Sequence, residues 1–369
     1  MTFFSSHNKR STLSLIALTL AAAFPAACAD AHTKAKHAAV DKQGEYVDFN
    51  SWQTVQDFTA MMVQQHGFTR TEIETIFKNT RHIDSAIQLV KPAPVGQPKN
   101  WQAYRARFVE PKRIAAGLAF WNEHADALAR AEKEYGVPAD IIVGILGIET
   151  LYGQNTGSFR VIDVLATLAF DYPDTPNRTA RMDYFRSELE NALLFARESS
   201  IDPFSLKGSY AGAIGLPQFM PASIRKFAVD YDGDGKIDLR NSPEDAIGSI
   251  ANFLSQHGWH RGEPTAFPAT VITPVEDGKT AWTAYIGQGL EAKFALSELE
   301  AAGVHPSVEP PPDLPYGLID LQNGTAPTEY WLGAPNFYAI TQYNRSFFYA
   351  MSVIDLGREV RTLRDAGRG

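Results

Sequence analysis

The chain has 369 residues, 44% of them hydrophobic and 21% charged, the balance of an ordinary soluble globular protein with material for two or three domains. A formal net charge of −8 and the lack of any long basic run argue against nucleic acid as a partner. Beyond the N-terminus no apolar stretch is long enough to span a bilayer.

Lys9 and Arg10 precede an apolar run, Leu13 to Phe24, that ends in Pro25-Ala-Ala-Cys28, the layout of an export signal. Cys28 is the only cysteine, so an intrachain disulfide is excluded. Its placement resembles the bacterial lipoprotein lipobox, in which that cysteine is lipidated and becomes residue one. Pro25 departs from that pattern, which prefers Leu there. Ala29, rather than Asp, after the cysteine implies delivery to the outer membrane, whose inner leaflet would take the lipid on the periplasmic face. The alternative is a soluble periplasmic protein with a simple cleaved signal. Residues 1–28 are thus read as the signal and 29–44, small and polar, as a flexible tether.

Residues 45–135 read as a helical domain. Phe58, Met61, Met62 and the segment from Arg70 to Phe77 have helix-like apolar spacing. Lys91 to Lys99, with its prolines and Gly96, reads as a connector. A long helix is predicted from Pro111 to Tyr135, burying Ile114, Leu118, Trp121, Leu128 and Ala131.

Residues 136–260 carry the chemistry. Pro138 suits a first helical turn, Ile141 to Ile148 make an almost continuously apolar helix, and Gly153 is a stop. Glu149 lies near the C-terminal end of this helix. Desolvation and the negative end of the helix dipole both raise its pKa, which suits a general acid. A helix-end Glu turned to solvent is the plain alternative. A polar loop, Pro173 to Asn177, and a helix from Arg181 to Glu198 follow. The segment from Lys207 to Pro221 mixes glycines and prolines with Ser209, Gln218, Phe219 and Met220. Glycine allows close backbone approach to a ligand, and these side chains can hydrogen-bond or pack against a sugar.

Next comes Asp230-Tyr-Asp232-Gly-Asp234-Gly-Lys236-Ile-Asp238. Oxygen ligands at positions one, three and five, glycine at six and an aliphatic at eight open an EF-hand calcium loop, with the Lys236 carbonyl at position seven. Position twelve is Asn241 rather than Glu. Asp245 is the expected closing ligand and Glu244 its competitor. The ion would be structural. A helix from Pro243 to His257 follows, then a small β-containing domain, 261–329, and a C-terminal segment, 330–369, that returns to the core. That segment has aromatics interleaved with amides, Tyr343 and Asn344 among them, as a carbohydrate groove would. Trp331 and Tyr349 read instead as an aromatic core edge, and a helix is predicted from Phe347 to Leu356.

GIETLYGQNTG around Glu149, KGSYAGAIGLPQFMP, DYDGDGKIDL and PNFYAITQYNRS, in this order, resemble the membrane-bound lytic transglycosylase B family over about Trp101 to Val353. The resemblance implies a mainly α (α+β) protein with a lysozyme-like core that cuts the MurNAc–GlcNAc β-1,4 bond of peptidoglycan glycan strands to give 1,6-anhydro-MurNAc. It implies Glu149 as the sole acid/base and Ser209 near the N-acetyl group. Gln218, Phe219 and Met220 would form a groove wall, Tyr343 and Asn344 would face the cleavage site, and Tyr104, Tyr184 and Arg181 would line the groove. Asp230, Asp232, Asp234, Lys236 and Asp245 would hold structural Ca²⁺. A monomer is expected, with cell-wall synthesis complexes as its wider setting. The competing readings are a muramidase that uses water, with Asp171 as second carboxylate, and a non-catalytic, calcium-stabilised wall-binding lipoprotein.

Overall fold

Short amphipathic segments with good caps make the first third of the chain helical. The structure, a computed structural model, describes residues 42–92, 96, 98–272 and 280–367. The export signal with Cys28, most of the tether and part of the 91–99 connector lie outside the described residues. Helix α1 (Gln53–His66) ends on Gly67 at φ 67°, a left-handed position that glycine takes without strain. Helix α2 (Arg70–Asn79) opens with a capping box: the Glu72 N–H donates to the Thr69 hydroxyl, and the Thr69 N–H donates to the Glu72 carboxylate. Strand β1 (Glu45–Tyr46) pairs antiparallel with β2 (Arg81–His82), and α3 (Asp84–Leu89) and α4 (Trp101–Arg105) follow.

The long helix predicted over 111–135 is two, α5 (Pro111–Glu123) and α6 (Ala125–Tyr135). The chain breaks at His124, which leaves helical geometry at ψ 29° and places Nδ1 3.0 Å from Glu244. The expected inward residues hold: Trp121, Leu128 and Ala131 are buried, and Ile114 and Leu118 are half-buried.

The core that follows contains α7 (Ala139–Thr150), α8 (Val161–Phe170), α9 (Arg178–Glu198), α10 (Pro221–Phe227) and α11 (Pro243–Gln256). Between α7 and α10 a two-stranded ribbon joins β3 (Phe159–Arg160) to β4 (Lys207–Gly208). Helix α9 begins at Arg178, a turn ahead of the expected Arg181. Helix α8 has only buried side chains and packs between α9 and α3, with β2 and β3 against it.

The remaining strands are β5 (Ala266–Val271), β6 (Phe294–Ala295), β7 (Val304–Pro306), β8 (Pro315–Asn323) and β9 (Ala326–Gly333), with α12 (Leu296–Ala301) after β6. They form one antiparallel sheet in the order β6-β8-β9-β5-β7, and β9 runs past the boundary expected at 329. Alternation along β8 serves two cores: Ile319 and Leu321 enter the main one, and Tyr316 and Leu318 a small one against α12. The chain then returns through α13 (Pro335–Thr341) and α14 (Phe347–Ala366), which runs well beyond the predicted Leu356.

Candidate active site

Glycines decide how the site is assembled. A Cβ at Gly144 in α7 would strike the Val353 carbonyl of α14, and one at Gly357 in α14 would strike the Asp140 carbonyl of α7. Their absence lets the two helix backbones touch, and this contact sets the first turn of α14 beside the last turn of α7. Tyr349 therefore donates its hydroxyl to Glu149 Oε1 at 2.7 Å. The sequence reading had placed Tyr349 in an aromatic core edge. Its ring is indeed buried, but its hydroxyl is a partner of the candidate acid.

Helix α7 starts one residue later than expected, with Pro138 as its N-cap, and stops before Gly153. Leu151 and Tyr152 take the left-handed conformation at φ 52° and 56°. That is rare for side chains of this size. A last helical bond, Leu151 N to Gly147 O (3.2 Å), and a closing bond six residues back, Tyr152 N to Leu146 O (3.1 Å), hold the turn. The Tyr152 ring stacks on Phe120 at 5.4 Å, and the Thr150 hydroxyl donates to the Leu216 carbonyl at 3.0 Å. Glu149 is thus fixed two residues before a locked reversal of the chain.

Glu149 is half-buried as a residue, with its carboxyl turned inward. Burial pushes its pKa up to about 7, and the Tyr349 hydrogen bond pulls in the other direction. Tyr343 lies parallel to Tyr349, with centroids 6.3 Å apart and planes at 12°, and donates its hydroxyl to Pro217 O. Tyr104, packed on Phe348, is pushed up to about 12 by burial and by the Glu149 charge. Tyr343 and Tyr349 are likewise held well above the ordinary tyrosine value, so all three stay protonated near neutrality. Among the described residues no second carboxylate hydrogen-bonds to this group. Asp171 is held elsewhere, 2.9 Å from His82 and 3.9 Å from Arg178.

The expected groove wall is continuous with this cluster. Phe219 meets Tyr343 at 5.7 Å. Gln218, at φ 51°, donates its side-chain amide to Gly215 O (2.8 Å) and Thr156 O (3.2 Å), tying the wall to the loop after α7. Single bridges run from Gly208 to Ile214 and from Ile214 to Phe219, which place the Ser209 loop against the same segment. Ser209 Oγ accepts from the Ala211 and Ala213 N–H groups (3.3 and 3.1 Å), which leaves its own proton to donate. Met220 caps α10. Asn344 lies in the turn between α13 and α14, next to Tyr343.

Tyr184 and Arg181 stand on α9, where Arg181 lies 5.8 Å over the Tyr172 ring. The sequence reading missed Glu188, one turn beyond Tyr184. Its carboxylate accepts from Ala222 N at 2.9 Å and faces the Tyr184 hydroxyl, so it ties α9 to the start of α10, directly after Met220. Burial pushes this carboxyl up to about 7 as well. A Glu on a charged, amphipathic stretch carries no sequence signal of burial.

The acidic loop lies apart from the groove. Carboxylate oxygens of Asp230, Asp232 and Asp245 come within 4.8 Å of one another. Asp245, buried on α11, accepts from Tyr231 N (2.7 Å) and Asp238 N (2.8 Å), while Glu244 turns to His124. Asp234 is outside that trio and accepts from Lys236 N at 2.8 Å. Three close carboxylates on a loop of inward-turned backbone suit a hard, oxygen-seeking cation such as Ca²⁺.

A transglycosylase SLT domain family model matches residues 50–358. The chain is 42% identical over 326 residues to membrane-bound lytic murein transglycosylase B of Escherichia coli (strain K12), covering 86% of this chain and 85% of the relative. The structure of the Escherichia coli lytic transglycosylase SLT35 in complex with calcium is 40% identical, with a TM-score of 0.74, over 90% of this chain and 99% of that one. SltB3 from Pseudomonas aeruginosa, in complex with NAG-anhNAM-pentapeptide, is 28% identical with a TM-score of 0.67, over 84% and 80%. The apolar-embedded acid, the aromatic cluster around it and these matches lead to one assignment: the chain belongs to the lytic murein transglycosylases of the SLT-domain family and is an enzyme that cleaves peptidoglycan.

Proposed function

We propose that Glu149 is the single acid/base of a cut at the MurNAc–GlcNAc β-1,4 bond that closes a 1,6-anhydro ring on MurNAc. The supporting observation is a lone carboxyl, kept protonated to about pH 7 by burial and bonded to Tyr349. Glu149 gives its proton to the glycosidic oxygen, and the C1–O bond breaks, releasing the GlcNAc hydroxyl. The MurNAc N-acetyl group, oriented by the Ser209 hydroxyl, stabilises the cationic C1. The carboxylate, now accepting from Tyr349, removes the proton of the 6-hydroxyl as O6 bonds to C1. Glu149 ends protonated and water is not consumed. Hydrolysis would call for a second carboxylate to activate water, and the position of Asp171, on His82 and Arg178, disfavours it in that role.

Gln218, Phe219, Met220, Tyr343, Asn344, Tyr104, Tyr184 and Arg181 line the glycan groove in this reading. Asp230, Asp232, Asp245 and the Lys236 carbonyl hold a structural Ca²⁺, with Asp234 joining once its oxygen leaves the Lys236 N–H. No helix among the described residues is long and apolar enough to cross a membrane. The relative's membrane-bound character then supports attachment through a lipidated Cys28, with 1–28 as signal and 29–44 as tether. Mass spectrometry of muropeptides tests the reaction. Fragments lighter by one water, absent with Glu149→Gln, are the expected result, and reducing-end fragments of normal mass would overturn it.

A further inference from the structure

We propose that a second cleft, on the small sheet domain, holds a neutral saccharide unit of the glycan away from the bond being cut; this rests on the peptidoglycan-cleaving function above. The cleft has a volume of about 450 Å³ and lies among residues 282–286, the β8–β9 hairpin and Pro98 and Lys99. Trp282 and Tyr330 line it and meet edge to face, centroids 5.2 Å apart at 68°, which leaves ring surface toward the cleft. The Trp282 ring is fixed by its indole N–H on Ile272 O at 2.9 Å.

Polar groups of each kind surround the rings. Asp320 accepts from Gln322 at 2.7 Å and has further lone pairs, Thr328 carries a hydroxyl, and Lys99 is an exposed ammonium with no ion pair among the described residues. Ring faces for C–H surface, with mixed donors and acceptors around them, match a pyranose whose hydroxyls both donate and accept. Among the lining residues one carboxylate, Asp320, balances one ammonium, Lys99. That balance offers no net charge to an ionic ligand and is neutral toward sugar hydroxyls.

The cleft is coupled rigidly to the reaction site. Gly324 N donates to Lys99 O (2.8 Å), Gln102 N donates to Asn323 Oδ1 (2.9 Å), and the Gln102 side chain bonds Glu329. The hairpin tip is thereby bolted to the start of α4, whose Tyr104 lies in the field of Glu149. Along the chain, Lys99 and Tyr104 are at most about 18 Å apart. A polymer engaged at Glu149 is thus held close to the cleft, and a second weak contact on the same or a neighbouring strand raises its effective concentration.

The test uses the full mature chain with Lys99→Ala and Asp320→Ala together, two substitutions at polar groups outside the apolar core. In a Glu149→Gln background, affinity for insoluble glycan stripped of its peptides is expected to fall about tenfold. In the active chain, KM on polymeric peptidoglycan rises by a similar factor, while kcat on a short soluble fragment holds. Unchanged affinity overturns the proposal, as does a loss seen only on peptide-bearing material. A fall in kcat on the short fragment overturns it too, because the substitutions then act through α4. If the unsubstituted chain releases no anhydro-sugar, it is the cleavage chemistry that fails instead.

Discussion

Glu149 stands alone among aromatic rings, whereas Asp230, Asp232 and Asp245 crowd their oxygens within 4.8 Å of one another. The groove removes water from one carboxyl and provides it with a single hydroxyl partner, so the proton stays on to about pH 7. In the loop, hydrogen bonds from the Ser242 hydroxyl and the Asp234 N–H hold Asp232 below the usual carboxylate range, whereas burial pushes Asp245 up despite the backbone N–H groups of Tyr231, Asp232 and Asp238. In the reading proposed above, one environment stores a proton for transfer and the other concentrates negative charge for a cation. The two differ both in the donors around each carboxylate and in its depth.

Glu149→Gln attacks that contrast most strongly. It keeps the shape and removes the transferable proton, so turnover is expected to fall by about 10²–10⁴-fold, read as the initial rate of anhydro-muropeptide release. An unchanged melting temperature would show that the loss is chemical.

Glu188 comes next, because it shares the raised pKa of Glu149 without sharing its task. The folded protein keeps this proton to about pH 7, while an unfolded chain gives it up near 4.5. The stability it contributes is therefore complete below pH 4.5 and is lost as pH rises through 7. Glu188→Gln mimics the protonated form and should flatten the stability profile over that interval by at most roughly 3 kcal/mol, measured by denaturant titration. A profile as steep as that of the unsubstituted chain would assign the pH dependence elsewhere.

On the loop side, Ca²⁺ at a hundredfold above its Kd should stabilise the fold by about 2.7 kcal/mol. Chelation removes that gain, and Asp245→Asn should abolish the calorimetric response to Ca²⁺ while leaving cold-assayed turnover in place. Calcium-independent melting of the unsubstituted chain would remove the ion from the loop.

Tyr349→Phe gives the smallest and most diagnostic effect. Its hydroxyl favours the ionised Glu149, so deleting it should move the alkaline limb of the rate profile to higher pH. A limb that stays in place would deny Tyr349 its electrostatic part.

The apolar run of α7, the glycine-rich segment before α10 and the spacing of the acidic loop were all legible in the sequence, because each is a local pattern. Tyr349 was not. Its role depends on where α14 docks, and in sequence it is one aromatic among many. The early stop of α7 was hidden for a similar reason: Leu151 and Tyr152 adopt a conformation that their own residue types disfavour, and Phe120, from α5, supports the turn. Between Glu244 and Asp245, one residue of helical rotation separates the carboxylate that joins Asp230 and Asp232 from the one that turns to His124, and only the packing of α11 fixes that rotation.

The backbone contact between α7 and α14 has a consequence for biosynthesis. Glu149 and its hydroxyl partner are separated by 200 positions, so a nascent chain whose α14 has not yet emerged lacks the hydrogen bond from Tyr349 to Glu149. Chains of this size fold from the N-terminal end as they emerge. In the proposed reading, the segment from Gln218 to Met220 and the acidic loop can therefore form before cutting is possible, and the blade is set last.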